Sequence, residues 1–150
     1  MRPFEWLLSA LSVQLVRVRG ESMSPALRDG QWVQLDRRAF RLRGPARFDI
    51  VRFRDPARPG EWSVKRVIGL PGETVAIERG KLLVNGTEVA QPATVRPFEM
   101  DVDTWQPGLK EYLLLGDNRE HSTDSRTYGL IKLSLVTGRV RVRARRNSTH

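Results

Sequence analysis

A chain of 150 residues has room for one domain with a real hydrophobic core, and a second independent core is not expected. Cysteine is absent, which excludes disulfides, thiolate metal sites and cysteine nucleophiles, and two histidines, His121 and His150, are too few and too isolated for a zinc site. The net charge of +9, from 26 Lys+Arg against 17 Asp+Glu, favours contact with anionic surfaces, but no helix-turn-helix, zinc-finger or aromatic RNA-binding pattern accompanies it, so no nucleic-acid partner is expected.

The first element expected is a short amphipathic helix over residues 1–15. Phe4, Leu7, Leu8, Leu11 and Leu15 recur at helical spacing, with Glu5, Ser9 and Ser12 on the other side. The uncharged run over residues 6–16 falls well short of the ~20 apolar residues of a membrane span. Such a helix either packs on its own domain or lies in a lipid interface. Residues 16–150 are expected to form a single, mainly β domain of short antiparallel strands and hairpins.

Alternation around Val13, Leu15 (or Val16) and Val18 also reads as a strand, and residues 32–35 and 50–53 are short apolar runs between glycine, proline and charge clusters. A strand over residues 63–70 ends at Pro71-Gly72. Strands over 74–77 and 81–84 follow, and Asn85-Gly86 after them is a strong hairpin signal. Residues 91–109 carry three prolines and no clean periodicity, as a loop or cap would. Residues 112–115 read as a buried strand, and a polar loop then runs to Tyr128. Over residues 135–142 valines alternate with arginines, as on an edge or half-exposed strand.

Three segments carry residues suited to chemistry. Gly20-Glu21-Ser22-Met23-Ser24-Pro25 puts a serine at the end of a strand, where a turn exposes its hydroxyl. Val64-Lys65-Arg66-Val67-Ile68 puts a lysine inside a run with the character of a core strand, where lysine is rare. Gly116-Asp117-Asn118 through Ser122, Asp124, Ser125 and Arg126 is a long polar loop after an apolar strand. A serine hydroxyl needs a base to become a nucleophile. An ordinary lysine, with a pKa near ~10.4, is protonated at pH 7 and cannot serve. Desolvation among Val64, Val67 and Ile68 lowers it toward a working range, provided no carboxylate contacts the amine.

In this order the three segments resemble the bacterial signal peptidase I family, with its Ser-Met-x-Pro, Lys-Arg-Val-x-Gly-x-Pro-Gly-Glu and Gly-Asp-Asn…Ser-x-Asp-Ser-Arg motifs. The likeness runs from about Gly20 to Gly138 and includes Asp29–Val33 and Phe48–Phe53. It implies a signal-peptidase-type β fold and a serine endopeptidase with Ser22 as nucleophile and Lys65 as general base. It further implies that the Ser22 backbone N–H binds the oxyanion, Ser122 orients the lysine, and Asp124 and Arg126 support the loop. Val18, Met23, Leu27 and Val64 match positions of the pocket for the residue before the cut. All four are apolar, so the pocket is expected to exclude charge and to take a small residue.

The expected partner is an extended signal or leader peptide, with peripheral contact to an anionic membrane, and no metal or other cofactor is implied. Localisation is then peripheral at a bacterial membrane. An alternative is a soluble, cytoplasmic protease trimming the leader of nickel-type superoxide dismutase. A more remote one is a basic, non-enzymatic β domain that binds nucleic acid. Gly20, Ala26, Phe48 and His121 depart from the family pattern, which usually has Ser (in some members), Thr, Gly and Asn there.

Overall fold

The computed structural model describes residues 12–96, 99 and 102–142. Most of these build two antiparallel sheets. The larger has seven strands in the order β1-β2-β11-β3-β4-β9-β10, made by Val13–Arg17 (β1), Trp32–Asp36 (β2), Ile50–Arg54 (β3), Trp62–Gly69 (β4), Glu111–Leu115 (β9), Ile131–Lys132 (β10) and Val136–Arg141 (β11). The smaller has the order β7-β6-β5-β8, from Val75–Glu78 (β5), Lys81–Val84 (β6), Thr87–Val89 (β7) and Asp103–Trp105 (β8). The alternating runs become strands because each offers one apolar face to a core. In β2, Val33 and Leu35 are buried between more exposed neighbours, and in β3 Val51 and Phe53 are.

The two sheets share a core. Ile68, Leu113 and Leu115 of β4 and β9 pack with Val75, Ile77, Leu82 and Val84 of the small sheet. Gly69 permits a close approach: a Cβ there would sit 2.8 Å from Val75 Cγ2 and 3.0 Å from Leu113 Cβ. The Asn85-Gly86 turn joins β6 to β7 with φ of 50° and 82°, the left-handed pair that a two-residue hairpin requires.

A second cluster joins Val33, Leu35 and Val140 to Val18, Met23 and Leu27. These last three belong to the connection between β1 and β2, so burying them folds that connection back over the sheet. Val18 N–H donates to Gln31 O at 2.8 Å and Gly30 N–H returns to Val18 O at 2.8 Å, closing the loop at its base. The nucleophile candidate is thus carried on a loop anchored from within.

Four expectations change. Residues 13–15, assigned to the first helix, lie in β1, where Val16 pairs with Val33 and Arg17 with Trp32; residues 1–11 fall outside the described part. The stretch 91–109 is not all loop, because β8 pairs with β5 through Val75–Trp105 and Ile77–Asp103. Of the two readings of β11, edge or half-exposed, the edge falls, because it lies between β2 and β3, and the half-exposed strand stands. Finally, the polar loop contains a 3-10 turn at Arg119–His121 and one helical turn, Ser125–Tyr128 (α1).

Candidate active site

β4 runs through the middle of the large sheet, and its Lys65 is only 4% exposed. The loop after β1 lays Ser22 over it, so that Lys65 Nζ donates to Ser22 Oγ at 2.8 Å. Burial lowers the lysine pKa from 10.5 to about 8, against the opposing pull of Asp124 and Asp55 and with help from Arg58 and Arg126. Among the described residues no carboxylate bonds to the amine, as the proviso requires. Asp55 accepts from Ser63 Oγ at 2.6 Å and Ala57 N–H at 2.8 Å, and Asp124 is engaged elsewhere. The two heavy atoms are thus in hydrogen-bond contact, and the amine's pKa lies near the range in which a general base works.

The Ser22 N–H donates to no group among the described residues and remains available to an oxyanion. Gly20, two residues earlier, has φ of 83°, a conformation that strains any side chain, although nothing lies within 4 Å of where a Cβ would be. The chain therefore has a conformational reason for glycine at this position, and a side-chain oxyanion donor is absent from it.

Ser122 does not make the direct bond to the lysine that the resemblance implies. Its hydroxyl donates instead to Asp124 Oδ2 at 2.8 Å. Asp124 is fully buried and is the hub of the polar loop. It also accepts from Gly116 N–H at 3.0 Å, from Arg126 Nε at 2.8 Å and from the Arg126 N–H at the start of α1. Arg126 Nη2 adds a bond to Arg119 O at 2.8 Å. Asp124 and Arg126 are thus joined to each other and to the backbone of the polar loop.

Two further residues hold the site and had been given no role. Asn118 donates its backbone N–H to Ser22 O at 2.9 Å and its side-chain amide to Glu21 O at 3.1 Å, locking the nucleophile loop to the polar loop. Asp117, fully buried, takes both Nε and Nη2 of Arg66 at 2.8 and 2.7 Å, tying that loop to the residue after Lys65. Gly116 makes the approach possible, since a Cβ there would stand 2.6 Å from Ser22 O and 2.2 Å from Ser122 Oγ. The Gly-Asp-Asn triplet was the available signal: the Asp117 carboxylate, the backbone and side-chain amides of Asn118 and the missing side chain of Gly116 each do part of this work.

Comparison with known proteins agrees with this arrangement. The family model described as signal peptidase, peptidase S26, matches residues 4–144. The chain belongs to this family. It is 34% identical to signal peptidase I V of Bacillus subtilis (strain 168), over 81% of this chain and 80% of that one. It is 33% identical to signal peptidase I of Bacillus caldolyticus, over 93% and 87%. A crystal structure of a signal peptidase I from Enterococcus faecalis V583 superposes with a TM-score of 0.56 at 32% identity, covering 63% of this chain and 95% of that one.

As a signal peptidase family member the chain is a serine peptidase, and its cleft can be read in that light. A groove of about 680 Å³ opens over Ser22 and Lys65, walled by Val16–Met23 on one side and Gly60–Lys65 on the other, with Arg52, Arg58, His121 and Thr123 completing it. Val18, Met23 and Val64 are among its lining residues. Leu27 does not: it is fully buried in the core behind them and shapes the pocket only by supporting Met23 and Val18. Nor is the groove free of charge, since Arg17, Arg19, Arg52 and Arg58 reach it along with Glu21 and Glu61.

Of the departures from the family pattern, Phe48 acquires a physical meaning. Its φ is 71°, a left-handed conformation natural to glycine, and it is held by Phe48 N–H to Val67 O at 2.7 Å and by Arg66 Nη1 to Phe48 O at 2.8 Å. Its ring packs on the core shared by the two sheets, which offsets the backbone strain. His121 is exposed at the groove rim. Nothing in the structure explains Ala26.

Proposed function

We propose that this chain cleaves a signal peptide through a Ser22–Lys65 dyad, after a small residue. The observation that carries the proposal is the 2.8 Å contact between Ser22 Oγ and a lysine amine buried deeply enough to be neutral near pH 8. Ser22 Oγ attacks the scissile carbonyl carbon while its proton passes to Lys65 Nζ. The oxyanion receives the Ser22 N–H. Collapse breaks the C–N bond, the leaving amine takes the proton from Lys65, and an ester to Ser22 remains. Water, deprotonated by the same lysine, then hydrolyses the ester. Ser122 acts one step removed, by fixing Asp124, whose charge is felt at the lysine.

The substrate lies extended between residues 16–20 and 62–64, adding backbone hydrogen bonds to these edges. Val18, Met23 and Val64 confine the residue before the cut. Alanine fits such a wall, whereas a bulky or charged side chain clashes or loses hydration. A peptide library cut by the protein should show alanine immediately before the scissile bond. Preference for Arg, Lys or Phe there would overturn the pocket assignment.

Peripheral attachment to an anionic membrane accompanies this reading. No helix among the described residues is long and apolar enough to cross a membrane. The outer face of β1 and β2 nevertheless exposes Leu15 at 60% and Trp32 at 62%, beside Arg17 and Arg141. Apolar groups amid cations suit a lipid headgroup boundary. Trp32→Ser with Leu15→Ser should weaken binding to anionic vesicles while cleavage of a soluble peptide continues. Unchanged vesicle binding would remove this face from the membrane contact.

A further inference from the structure

Along β3 and the residue after it, Val51, Phe53 and Asp55 alternate onto one face of the large sheet. The register Val51–Lys65 and Phe53–Ser63 puts Ser63 and Lys65 of β4 on that same face. Asp55 and Ser63 are both buried. Ser63 Oγ donates to Asp55 Oδ2 at 2.6 Å, and the Ala57 N–H donates to Asp55 Oδ1 at 2.8 Å. The Asp55 N–H donates to Glu61 O at 3.0 Å, which closes the turn between β3 and β4. The carboxylate is therefore fixed through both oxygens and through its own backbone.

The pair repeats an arrangement of the polar loop, where Ser122 donates to Asp124 at 2.8 Å. The two aspartates differ in how their charge is balanced. Asp124 holds the Arg126 guanidinium at 2.8 and 2.9 Å. Asp55 is paired with Arg58, whose Nε stands 3.5 Å away, whose side chain is 59% exposed and which also reaches Glu61 at 3.5 Å. Such a loose pair leaves much of the buried negative charge uncompensated.

Burial would raise the Asp55 pKa, but the bonds from Ser63 and Ala57, with the charges of Arg58 and Lys65, outweigh it and keep the acid ionised. At Lys65 burial lowers the pKa, Asp124 and Asp55 oppose it, and Arg58 and Arg126 add to it. The buried Tyr128 hydroxyl has Asp55, Asp124 and Arg58 as its charged neighbours too. When Ser22 gives up its proton, an ammonium forms in this buried site, and a fixed anion nearby matters most at that moment.

We propose that Asp55, held by Ser63, is a positioning residue of the dyad, whose fixed carboxylate stabilises the Lys65 ammonium formed as Ser22 is deprotonated. Asp55 itself takes no proton. This rests on the peptidase reading above. The test uses the full chain and a peptide with alanine before the cut, with kcat and KM followed from about pH 6 to 10. Asp55→Asn keeps an acceptor for Ser63 and removes the charge. Its rising limb should move to lower pH by about half a unit or more, and its plateau kcat should fall about three- to tenfold with KM little changed. Ser63→Ala removes the same bond but keeps the carboxylate, so its limb should stay near pH 8. Should Asp55→Asn fail to fold, Arg58→Gln decides at an exposed position: with Asp55 unopposed, its limb should rise above that of wild type. An Asp55→Asn limb that stays or moves up, equal shifts in Asp55→Asn and Ser63→Ala, or an Arg58→Gln limb that does not rise would each overturn the role of Asp55 alone. If the wild type does not cut the peptide, the peptidase reading falls instead.

Discussion

Ser22→Ala and Lys65→Met should each lower kcat/KM by about 10⁴-fold or more, and the double variant should be little worse than either, because the two residues act as one unit. Lys65 works as a base only when neutral, so the wild-type rate should climb tenfold per pH unit and level off near pH 8, the pKa that burial imposes. A rising limb near 10.5 would mean that the lysine is not desolvated during catalysis. The same burial has an opposite consequence for stability. Between pH 8 and 10.5 the unfolded chain holds the lysine proton more tightly than the folded one, so stability rises with pH across that window. Below it, the folded state bears the whole cost of a buried ammonium, about 3 kcal/mol from the shift. Lys65→Met, similar in length and uncharged, should therefore melt higher than wild type at pH 7 while being inactive. A variant that kept near-normal turnover would refute the dyad; one that melted lower would refute the desolvation argument.

That trade between a working base and a stable core explains why the site was partly legible in the sequence. A lysine amid Val64, Val67 and Ile68 is locally inconsistent, and such inconsistencies concentrate at functional positions. Ser22 stood out through its motif rather than through any local property. Asp117 left no comparable signal: an acid after Gly116 reads as part of a polar turn, and only its paired bonds with Arg66 tie it to the strand that carries Lys65. Asn118 was hidden for another reason, because its backbone amide holds Ser22 O and backbone groups carry no residue signature.

The fold follows the same division. Hairpins with Asn85-Gly86 or with clean alternation were readable because the preference is local. β1 was ambiguous because Leu15 satisfies both the helical spacing of Leu8 and Leu11 and the alternation of Val13; pairing with β2 decides it, leaving Leu15 outside the core. β8 has three residues, and its status as a strand comes from β5 rather than from its own composition. In β11, arginines alternating with valines suggested an edge or a half-exposed strand, and the second is what the structure has. A central strand with one open face produces the same pattern, and here Arg141 meets Asp36 across that face at 3.3 Å.

Asp124 is where structure and chemistry should separate most clearly. Asp124→Ala would leave the Arg126 guanidinium, the Gly116 N–H and the Ser122 hydroxyl without their acceptor in a buried loop, a loss of about 3–5 kcal/mol. Asp124→Asn, which keeps one carbonyl oxygen, should lose less. Burial alone would raise the Asp124 pKa, but hydrogen bonds from Arg126, Gly116 and Ser122, with the Arg126 charge, outweigh it and hold the value below 3.8. Its contribution is therefore present above pH 3.8 and is lost as pH falls through the folded-state pKa, and the Asn variant should lack this part of the acid transition. The effect on catalysis has the other sign. The Asp124 carboxylate raises the Lys65 pKa and Arg126 lowers it, so removing the acid's charge while the arginine's remains makes the amine easier to deprotonate. Asp124→Asn should melt lower than wild type yet reach its plateau of activity below pH 8. A purely structural Asp124 would lower the melting temperature and leave the rising limb where it was; a limb displaced to higher pH would show that the lysine gains more from loosened packing and entering water than it loses with the carboxylate.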